Sequence, residues 1–467
     1  MLRIFNSLSK TVEEFTSIDP YGVRIYTCGP TVYSFATIGN FRTYTSVDFI
    51  IRALKINGYD VSYLMNITDV GHLTGDNDGD ADMGVDRMER SATKEGRSAW
   101  EVAEFYTEAF KTEFSELNLT PPERFAKATD YIAEQIALVQ KLEKRGYTYQ
   151  TSDGIYFDTS RFSTYGELSS LDQIREGARV EINPEKRNPR DFALWKFSPT
   201  NEKRQMEWKS PWGKGFPGWH IECSAMSMKY LGESFDIHTG GMDLKETHHP
   251  NEIAQSEAAT GKKFVNYWMH VTFLLVNGEK MSKSKNNVYR VYDLVKEGYE
   301  PLALRYLYLQ THYRQEMNFT FGGLDGAQNA LTNLRKEMLK LKDAQGRSDF
   351  FYDRFLEAMN DDINTPQALA IMWEMMNSHE DNGKKLATLF LMDELFGFNL
   401  QEYYEEQRNR PAEKIPSEVH ELVAERERLR KAKHFSAADH YRNKIKKLGY
   451  DIKDTDTGTK ISRIEEE

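Results

Sequence analysis

Only two thiols occur in 467 residues, Cys28 and Cys223, and each stands inside a short polar motif. The first is Tyr26-Thr27-Cys28-Gly29-Pro30-Thr31 and the second is Trp219-His220-Ile221-Glu222-Cys223. Downstream lies His248-His249-Pro250-Asn251-Glu252, in which His248 and Glu252 are four apart and so share one face of a helix. Two thiolates, an imidazole and a carboxylate form a donor set suited to zinc, and nothing else in the chain offers a thiolate. Proline is tolerated in a first helical turn, so Pro250 puts the helix start near His249 and His248 at its cap. His220 and His249 stay open between a structural role and a role in the site.

A second pattern is Lys280-Met281-Ser282-Lys283-Ser284, preceded by Asn277-Gly278-Glu279. Two lysines flanking small hydroxyl residues in a loop can follow a polyphosphate as charge moves during transfer. A solvated basic loop is the bland alternative. Upstream, Thr37-Ile38-Gly39-Asn40 follows an apolar strand-like run and opens a helix-like one. A strand–loop–helix of this kind suits a nucleotide phosphate.

The elements that must position these residues read as α/β. Strands are expected at residues 23–28, 61–66, 235–238 and 270–276, with helices at 40–56 and 99–117, a pattern that implies a parallel sheet. From about residue 118 to 200 the pattern changes, with a helix at 131–145 and a strand at 154–158; we read an insertion into the nucleotide-binding fold. Residues 77–86 read as an acidic, solvated loop without the ligand spacing of a calcium-binding EF-hand. Beyond residue 323 the chain turns helical, with a new helix expected at Asn364-Thr365-Pro366. The charged, proline-bearing stretch 402–416 reads as a linker. The expected layout is therefore a Rossmann-like parallel-sheet domain over 1–117 and 201–322, an inserted connective subdomain over 118–200, a helical bundle over 323–401, the linker, and a small domain over 417–467.

Composition limits the partners. With 61 Lys and Arg against 72 Asp and Glu, the net charge is −11, so contact with nucleic acid has to come from local patches. One such patch is residues 425–447, with nine Lys or Arg against three acids. Two cysteines make no disulfide framework, and their settings point to a reducing cytoplasm. The N-terminus carries no apolar signal region, and no run of about 18 apolar residues occurs, so a soluble intracellular protein without a membrane partner is expected.

Residues 280–284 are similar to the second signature of class I aminoacyl-tRNA synthetases, and residues 37–40 occupy the place of the first. Cys28-Gly29-Pro30-Thr31-Val32-Tyr33, residues 219–223 and residues 248–252 resemble the cysteine-specific branch, the cysteinyl-tRNA synthetases. Asn66-Ile67-Thr68-Asp69, Asp236-Ile237-His238 and Asp361-Asp362-Ile363-Asn364-Thr365-Pro366 are further matches, so the resemblance covers essentially the whole length.

The resemblance implies a cysteine–tRNA ligase that activates L-cysteine with Mg-ATP and transfers it to tRNA(Cys), working as a monomer. One zinc held by Cys28, Cys223, His248 and Glu252 would bind the substrate's own sulfur, and the poorer oxygen ligand of serine would be rejected without a separate editing site. Lys280, Lys283 and Thr37 take the catalytic positions, with Lys283 the lysine of larger effect. Thr37, Gly39, Asn40, Lys280 and Lys283 take the ATP positions. Gly29, Thr68, Trp219 and His238 line the cysteine pocket, and Arg430, Asp439 and Asp454 face anticodon bases, where carboxylates can accept from guanine or cytosine amino groups. Three features depart from the pattern. Thr37 stands where the first signature carries histidine, and a hydroxyl can donate one hydrogen bond but carries no charge. Pro250 and the stretch Lys245-Glu246-Thr247 are the others; neither removes a proposed ligand. Two further functions compete: a ligase joining activated cysteine to a small amine, which the helical region and basic patch disfavour, and a non-catalytic RNA-binding paralogue, which the intact lysine loop and metal set disfavour.

Overall fold

The computed structural model describes residues 1–71, 86–169, 183–199, 204–282, 285–410, 415–455 and 458–463. Lys283, most of the acidic stretch expected as a loop at 77–86, and the polar run from 177 to 182 lie outside the described residues. The chain divides into two units, Met1–Tyr404 and Glu405–Glu467.

The first unit is organised on five parallel strands: β1 (Gly22–Thr27), β2 (Asp60–Ile67), β3 (Arg124–Lys127), β4 (Phe235–Gly241) and β5 (Val265–Val271). Their spatial order is β5-β4-β1-β2-β3. Near-continuous burial along β1, β4 and β5 is what a parallel sheet covered on both faces requires. The chain runs outward from β1 to β2 and β3, then returns to place β4 on the other side of β1. The order therefore reverses between β1 and β4, and an open sheet of this kind binds its ligand in the crevice at the strands' carboxyl ends there. Tyr26 faces His238 and Thr27 faces Thr239 across that junction, and the Cys28 amide donates to the Thr239 carbonyl just beyond it.

Helices α1 (Ile38–Ile56), α2 (Arg87–Glu95), α3 (Ala99–Glu116), α4 (Ile132–Lys144), α5 (Trp219–Leu231), α6 (Met242–Thr247) and α7 (His249–Thr260) accompany this sheet. The inserted region carries a separate antiparallel sheet of Thr148–Gln150, Gly154–Phe157, Phe192–Phe197, Gly213–Pro217 and Trp208–Ser210, in that order. Its last two strands follow residue 200. The apolar run expected as one strand at 270–276 is divided: β5 ends at Val271, and Leu274–Val276 pairs with Glu279–Lys280 in a hairpin. Asn277 and Gly278, both with positive φ, turn that hairpin.

Further on, helices Phe321–Met338, Asp349–Asn360, Thr365–Asn377 and Asn382–Phe396 form the helical region. Thr365–Asn377 begins with Asn364 as its cap and proline in its first turn, as its sequence predicts. Arg305 is fully buried and bonds the carbonyls of Phe396, Leu117 and Asn118 through Nε and Nη1, with Nη2 2.5 Å from Asp48 Oδ2. A buried guanidinium needs that many acceptors to offset the loss of water. Part of the stretch expected as a linker is instead helical, over Leu400–Asn409.

The second unit packs helices Ser417–Lys431 and Phe435–Lys447 with an antiparallel pair, Tyr450–Thr455 and Gly458–Arg463. Val419, Val423, Ile445, Tyr450 and Ile452 make its core. Among the described residues, no helix is long and apolar enough to cross a membrane.

Candidate functional site

The donor set gathers at the sheet's switch point. Cys28 follows β1, Cys223 lies one turn into α5, and His248 and Glu252 sit at the start of α7. The helix begins at His249 with proline in its first turn, so His248 is the cap residue and still reaches Glu252 one turn on. Candidate ligand atoms of Cys28, Cys223, His248 and Glu252 all lie within 4.8 Å of one another, and all four residues are buried. A second overlapping group joins Cys28 and Glu252 to His238 and His249.

The separations suit a tetrahedral ion. Ordinary zinc bond lengths give donor–donor edges of about 3.8 Å for two sulfurs, about 3.6 Å for sulfur and oxygen, and about 3.4 Å for nitrogen and oxygen. The two Sγ atoms are 3.9 Å apart, Cys28 Sγ is 3.7 Å from Glu252 Oε1, and His248 Nε2 is 3.1 Å from the same oxygen. Acidic donors that converge on one buried point demand a cation, because each is costly to bury alone.

Protonation follows from the same crowding. Burial pushes the Cys28 thiol up and the adjacent Cys223 pushes it further. Burial also acts to raise Cys223, but its hydrogen bond to Cys28 and the neighbouring His248 hold it down at about 7. Burial acts to lower His248; the Glu252 charge and Cys223 outweigh it and hold the ring at about 10. Glu252, although buried, is held at about 2 by His238 and His248.

Other histidines brace the set from behind. His238 Nε2 lies 3.0 Å from Glu252 Oε2, and the His238 ring stacks on Trp268 at 4.5 Å. His249 Nε2 lies 3.5 Å from Cys28 Sγ, its Nδ1 meets His270 Nε2 at 2.8 Å, and His270 Nδ1 meets Ser7 Oγ at 2.8 Å. Burial pushes both His249 and His270 well down, so both are neutral, and each ring's tautomer is fixed by its neighbour. His220 Nδ1 lies 2.9 Å from His248 Nδ1.

The expected cysteine pocket lies alongside. Gly29 donates its amide to Asn66 Oδ1 at 2.8 Å, and a Cβ there would come within 1.8 Å of the Asn66 carbonyl oxygen, so only glycine fits. Thr68 is buried, accepts from Asn66 Nδ2 and donates to Glu222 Oε2 at 3.2 Å. Trp219 is half-buried with its ring 4.3 Å from His248. His238, expected in this pocket, is engaged with Glu252. Glu222 is a site neighbour that the sequence reading passes over: it is fully buried, and burial followed by the Asp69 charge pushes it well up, so it is a neutral acid beside Thr68.

Of the residues expected at the nucleotide, Thr37, Gly39 and Asn40 lie at the start of α1. Thr37 is its N-cap, and Thr37 and Asn40 bond reciprocally: the Thr37 amide and hydroxyl donate to Asn40 Oδ1 at 2.9 and 2.8 Å, and the Asn40 amide donates to Thr37 Oγ1 at 3.3 Å. This is a capping box with asparagine in place of the usual glutamate. Gly39 lies against Met281, whose methyl would be 2.4 Å from a Cβ at residue 39. The two signature segments are therefore in contact. Lys280 ends its hairpin with its ammonium 5.3 Å from the Phe273 ring centre, and Asn287 ties the loop by bonding the Ser282 amide and the Lys280 carbonyl. Lys283 is outside the described residues.

In the second unit, Asp454 accepts two hydrogen bonds from Arg426, both at 2.8 Å, and lies 3.6 Å from Arg430. The Arg426 hydrogen bond pushes Asp454 well down. Asp439 and Arg430 are exposed on the two helices.

Comparison with known proteins follows this geometry. Residues 14–329 match the family described as "tRNA synthetases class I (C) catalytic domain", residues 354–397 the "DALR domain", and residues 412–461 the "Cysteinyl-tRNA ligase anticodon binding domain". Among curated relatives, cysteine–tRNA ligase 1 of Burkholderia lata is 47% identical over 98% of this chain and 96% of its own. The cysteine–tRNA ligase of Treponema denticola is 41% identical over 97% and 98%. Among solved structures, methionyl-tRNA synthetase of Mycobacterium tuberculosis, in complex with methionyl-adenylate, matches with a TM-score of 0.57 at 14% identity, covering 82% of this chain and 93% of its own; that likeness is one of fold.

Proposed function

The chain belongs to the cysteinyl-tRNA synthetases of class I, with the activity of a cysteine–tRNA ligase, and on that premise we propose that its buried donor set selects the substrate by its sulfur. The observation that carries the proposal is the convergence of Cys28, Cys223, His248 and Glu252 at tetrahedral spacing on the sheet's switch point. Zinc held by these four would supply a borderline-soft Lewis acid that favours a thiolate over a hydroxyl, and with it a means to reject serine. The overlapping group with His238 and His249 contains one sulfur only, so it is the weaker set for a soft ion. His238 keeps one Glu252 oxygen occupied, which leaves the other for the ligand point. Gly29, Thr68 and Trp219 bound the space where the substrate's amino acid moiety sits.

In the first step a carboxylate oxygen of cysteine attacks the α-phosphorus of ATP in line; the bond to the β-phosphate bridging oxygen breaks, giving cysteinyl-adenylate and pyrophosphate. The amino end of α1, closed by Thr37 and Asn40, offers backbone amides and a positive dipole end to the phosphates. Gly39 presents bare backbone at this end of the helix, where a Cβ would meet the Met281 methyl at 2.4 Å. Lys280 and Lys283 follow the charge onto the departing pyrophosphate. In the second step a terminal ribose hydroxyl of the tRNA attacks the adenylate carbonyl and AMP leaves. Arg430, Asp439 and Asp454 are proposed to face the anticodon, with both Asp454 oxygens already accepting from Arg426.

One assay with cysteine, ATP and total tRNA tests this reading. Cysteinyl-tRNA is the expected product. Adenylate without charging would favour a small-amine acceptor, and the absence of both would favour a non-catalytic role.

A further inference from the structure

The motif Asp361-Asp362-Ile363-Asn364-Thr365-Pro366 forms the turn between helices Asp349–Asn360 and Thr365–Asn377, in the helical region. Two successive residues of it, Asp362 and Ile363, have φ of 58° and 57°. A β-branched residue rarely occupies that region, and such strain persists where the surroundings over-determine it. Here the surroundings are the partners of one carboxylate. Asp362 is 4% exposed, and its Oδ1 accepts from the Phe5 amide at 2.8 Å and the Tyr313 hydroxyl at 2.6 Å. Its Oδ2 accepts from Arg314 Nε and Nη2, both at 2.6 Å. The Asp362 amide donates to the Arg3 carbonyl, and His312 Nε2 lies 2.8 Å from the Asp362 carbonyl oxygen.

These partners lead to the two halves of the active site. Phe5 belongs to the N-terminal strand Arg3–Asn6. The next residues run along β5: Asn6 Oδ1 accepts from the Trp268 amide at 3.1 Å, and Ser7 Oγ meets His270, which braces the donor set through His249. Tyr313 and Arg314 belong to the turn 312–315, which leads to the lysine loop. The Thr272 amide and hydroxyl donate to the Tyr313 carbonyl at 3.0 and 3.1 Å, just before the hairpin that carries Lys280. Arg42, fully buried on α1 two residues after Asn40, donates to the carbonyls of Thr272, Phe273 and Gln315. The start of α1, the lysine hairpin and the turn 312–315 are therefore one bonded group, and Asp362 ties that group to the strand that leads to the donor set.

Packing alone does not call for a carboxylate here, because a buried charge offsets its lost hydration only through a full set of partners, and an apolar residue would cost less. We propose that Asp362 is a positioning residue for adenylate formation: by fixing the turn 312–315 to the N-terminal strand, it holds the lysine hairpin and α1 in register with the donor set. The proposal rests on the ligase reading and adds to it a part for the helical region in the first step, before tRNA is bound.

The test uses the full-length zinc-loaded protein and the substitutions D362N, R314Q and D361N. D362N keeps an oxygen for the Phe5 amide and the Tyr313 hydroxyl but turns an amide donor toward Arg314. R314Q removes the same link from its more exposed side. D361N is the control, since that side chain makes only an exposed pair with Arg3 at 3.6 Å. Cysteine-dependent ATP–pyrophosphate exchange without tRNA, the cysteine KM, zinc content and the folded fraction by circular dichroism are measured for each. D362N and R314Q should each lower the exchange kcat at least about tenfold, within the roughly hundredfold that a displacement of about 1 Å can cost. Cysteine KM and zinc content should stay within about twofold of wild type, a split that loss of packing alone would not produce. The double variant D362N/R314Q should fall no further than the worse single one, because both break one link. D361N should match wild type. An exchange kcat within about twofold of wild type in the folded single variants, whatever their melting temperatures, would overturn the proposal and leave the ligase reading intact. Loss of exchange that merely follows loss of zinc would also overturn it, and if D362N does not fold, R314Q decides. Failure of the wild-type chain to catalyse exchange would overturn both readings.

Discussion

The threonine at the first signature position gives the sharpest prediction about catalysis. Thr37 is half-buried and makes three hydrogen bonds with Asn40, one through its amide and two through its hydroxyl. Substituting Thr37→Ala removes both hydroxyl bonds, and loss of an N-cap of this type costs about 1 kcal/mol of stability. A neutral hydroxyl that also touches a phosphate contributes about 0.5–1.5 kcal/mol, or roughly two- to tenfold in rate. A charged or preorganised donor at the same point would contribute about 2.7–4 kcal/mol, a hundredfold or more. ATP–pyrophosphate exchange by Thr37→Ala should therefore fall less than about tenfold while the urea midpoint falls by the cap's worth. Thr37→Ser should be close to wild type in both. A drop of a hundredfold or more in exchange, without loss of fold, would refute the reasoning, because a helix cap and neutral donor cannot supply that much. Thr37→His gives the converse: the reciprocal bond with Asn40 is lost, at about 1 kcal/mol, yet exchange should hold or rise. A large fall would mean that the site is built around the hydroxyl.

Three further outcomes are expected. Glu252→Gln keeps the shape but removes the charge that His238 and His248 face, so zinc affinity measured by competition with a chromophoric chelator should fall at least about 100-fold; unchanged affinity would remove Glu252 from the ligand set. Gly29→Ala forces a Cβ to 1.8 Å from the Asn66 carbonyl oxygen, and should cost roughly 3 kcal/mol of stability and raise the cysteine KM, while a variant as stable as wild type would show that the loop yields freely. Glu113 is buried and pushed up from 4.5 to about 7 by burial, against the opposing Tyr292 amide and Arg290 and with help from Glu116 and Asp293. The folded state keeps this proton longer than the unfolded chain, so its contribution is full below pH 4.5 and is lost as pH rises to about 7. The loss amounts to about 2–3 kcal/mol. Glu113→Gln should flatten that part of the stability–pH curve, and an unchanged slope between pH 5 and 7 would contradict the burial argument.

The parallel sheet and the donor set were legible in the sequence for one shared reason: both depend on residue types with few other uses. Apolar runs of strand length alternating with amphipathic stretches mark the sheet, and the two thiols stand in polar motifs, with His248 and Glu252 one helical turn apart despite the cap. Other features depend on partners far apart in the chain. The hairpin at Leu274–Val276 and Glu279–Lys280 hides inside an apolar run, because Asn277 and Gly278 signal a turn only once β5 has ended at Val271. The charged residues of Leu400–Asn409 read as linker, although helix is equally open to them. Glu222 looks like an ordinary acid in a first helical turn, and only full burial beside Thr68 marks it as neutral. Thr37 and Asn40 were legible as an altered signature; their reciprocal bonding, which turns the alteration into a cap, is a matter of geometry. Asp454 is similar, since nothing near it in sequence announces Arg426, 28 residues earlier.

The central claim is that one sulfur is recognised by a site made with two others. Zinc-edge X-ray absorption on the zinc-loaded protein, with and without bound cysteine, tests it most directly. The account predicts a first shell with two sulfur scatterers from Cys28 and Cys223 in the free protein and a third when cysteine is added, with no such gain on adding serine. A shell unchanged by cysteine would contradict it.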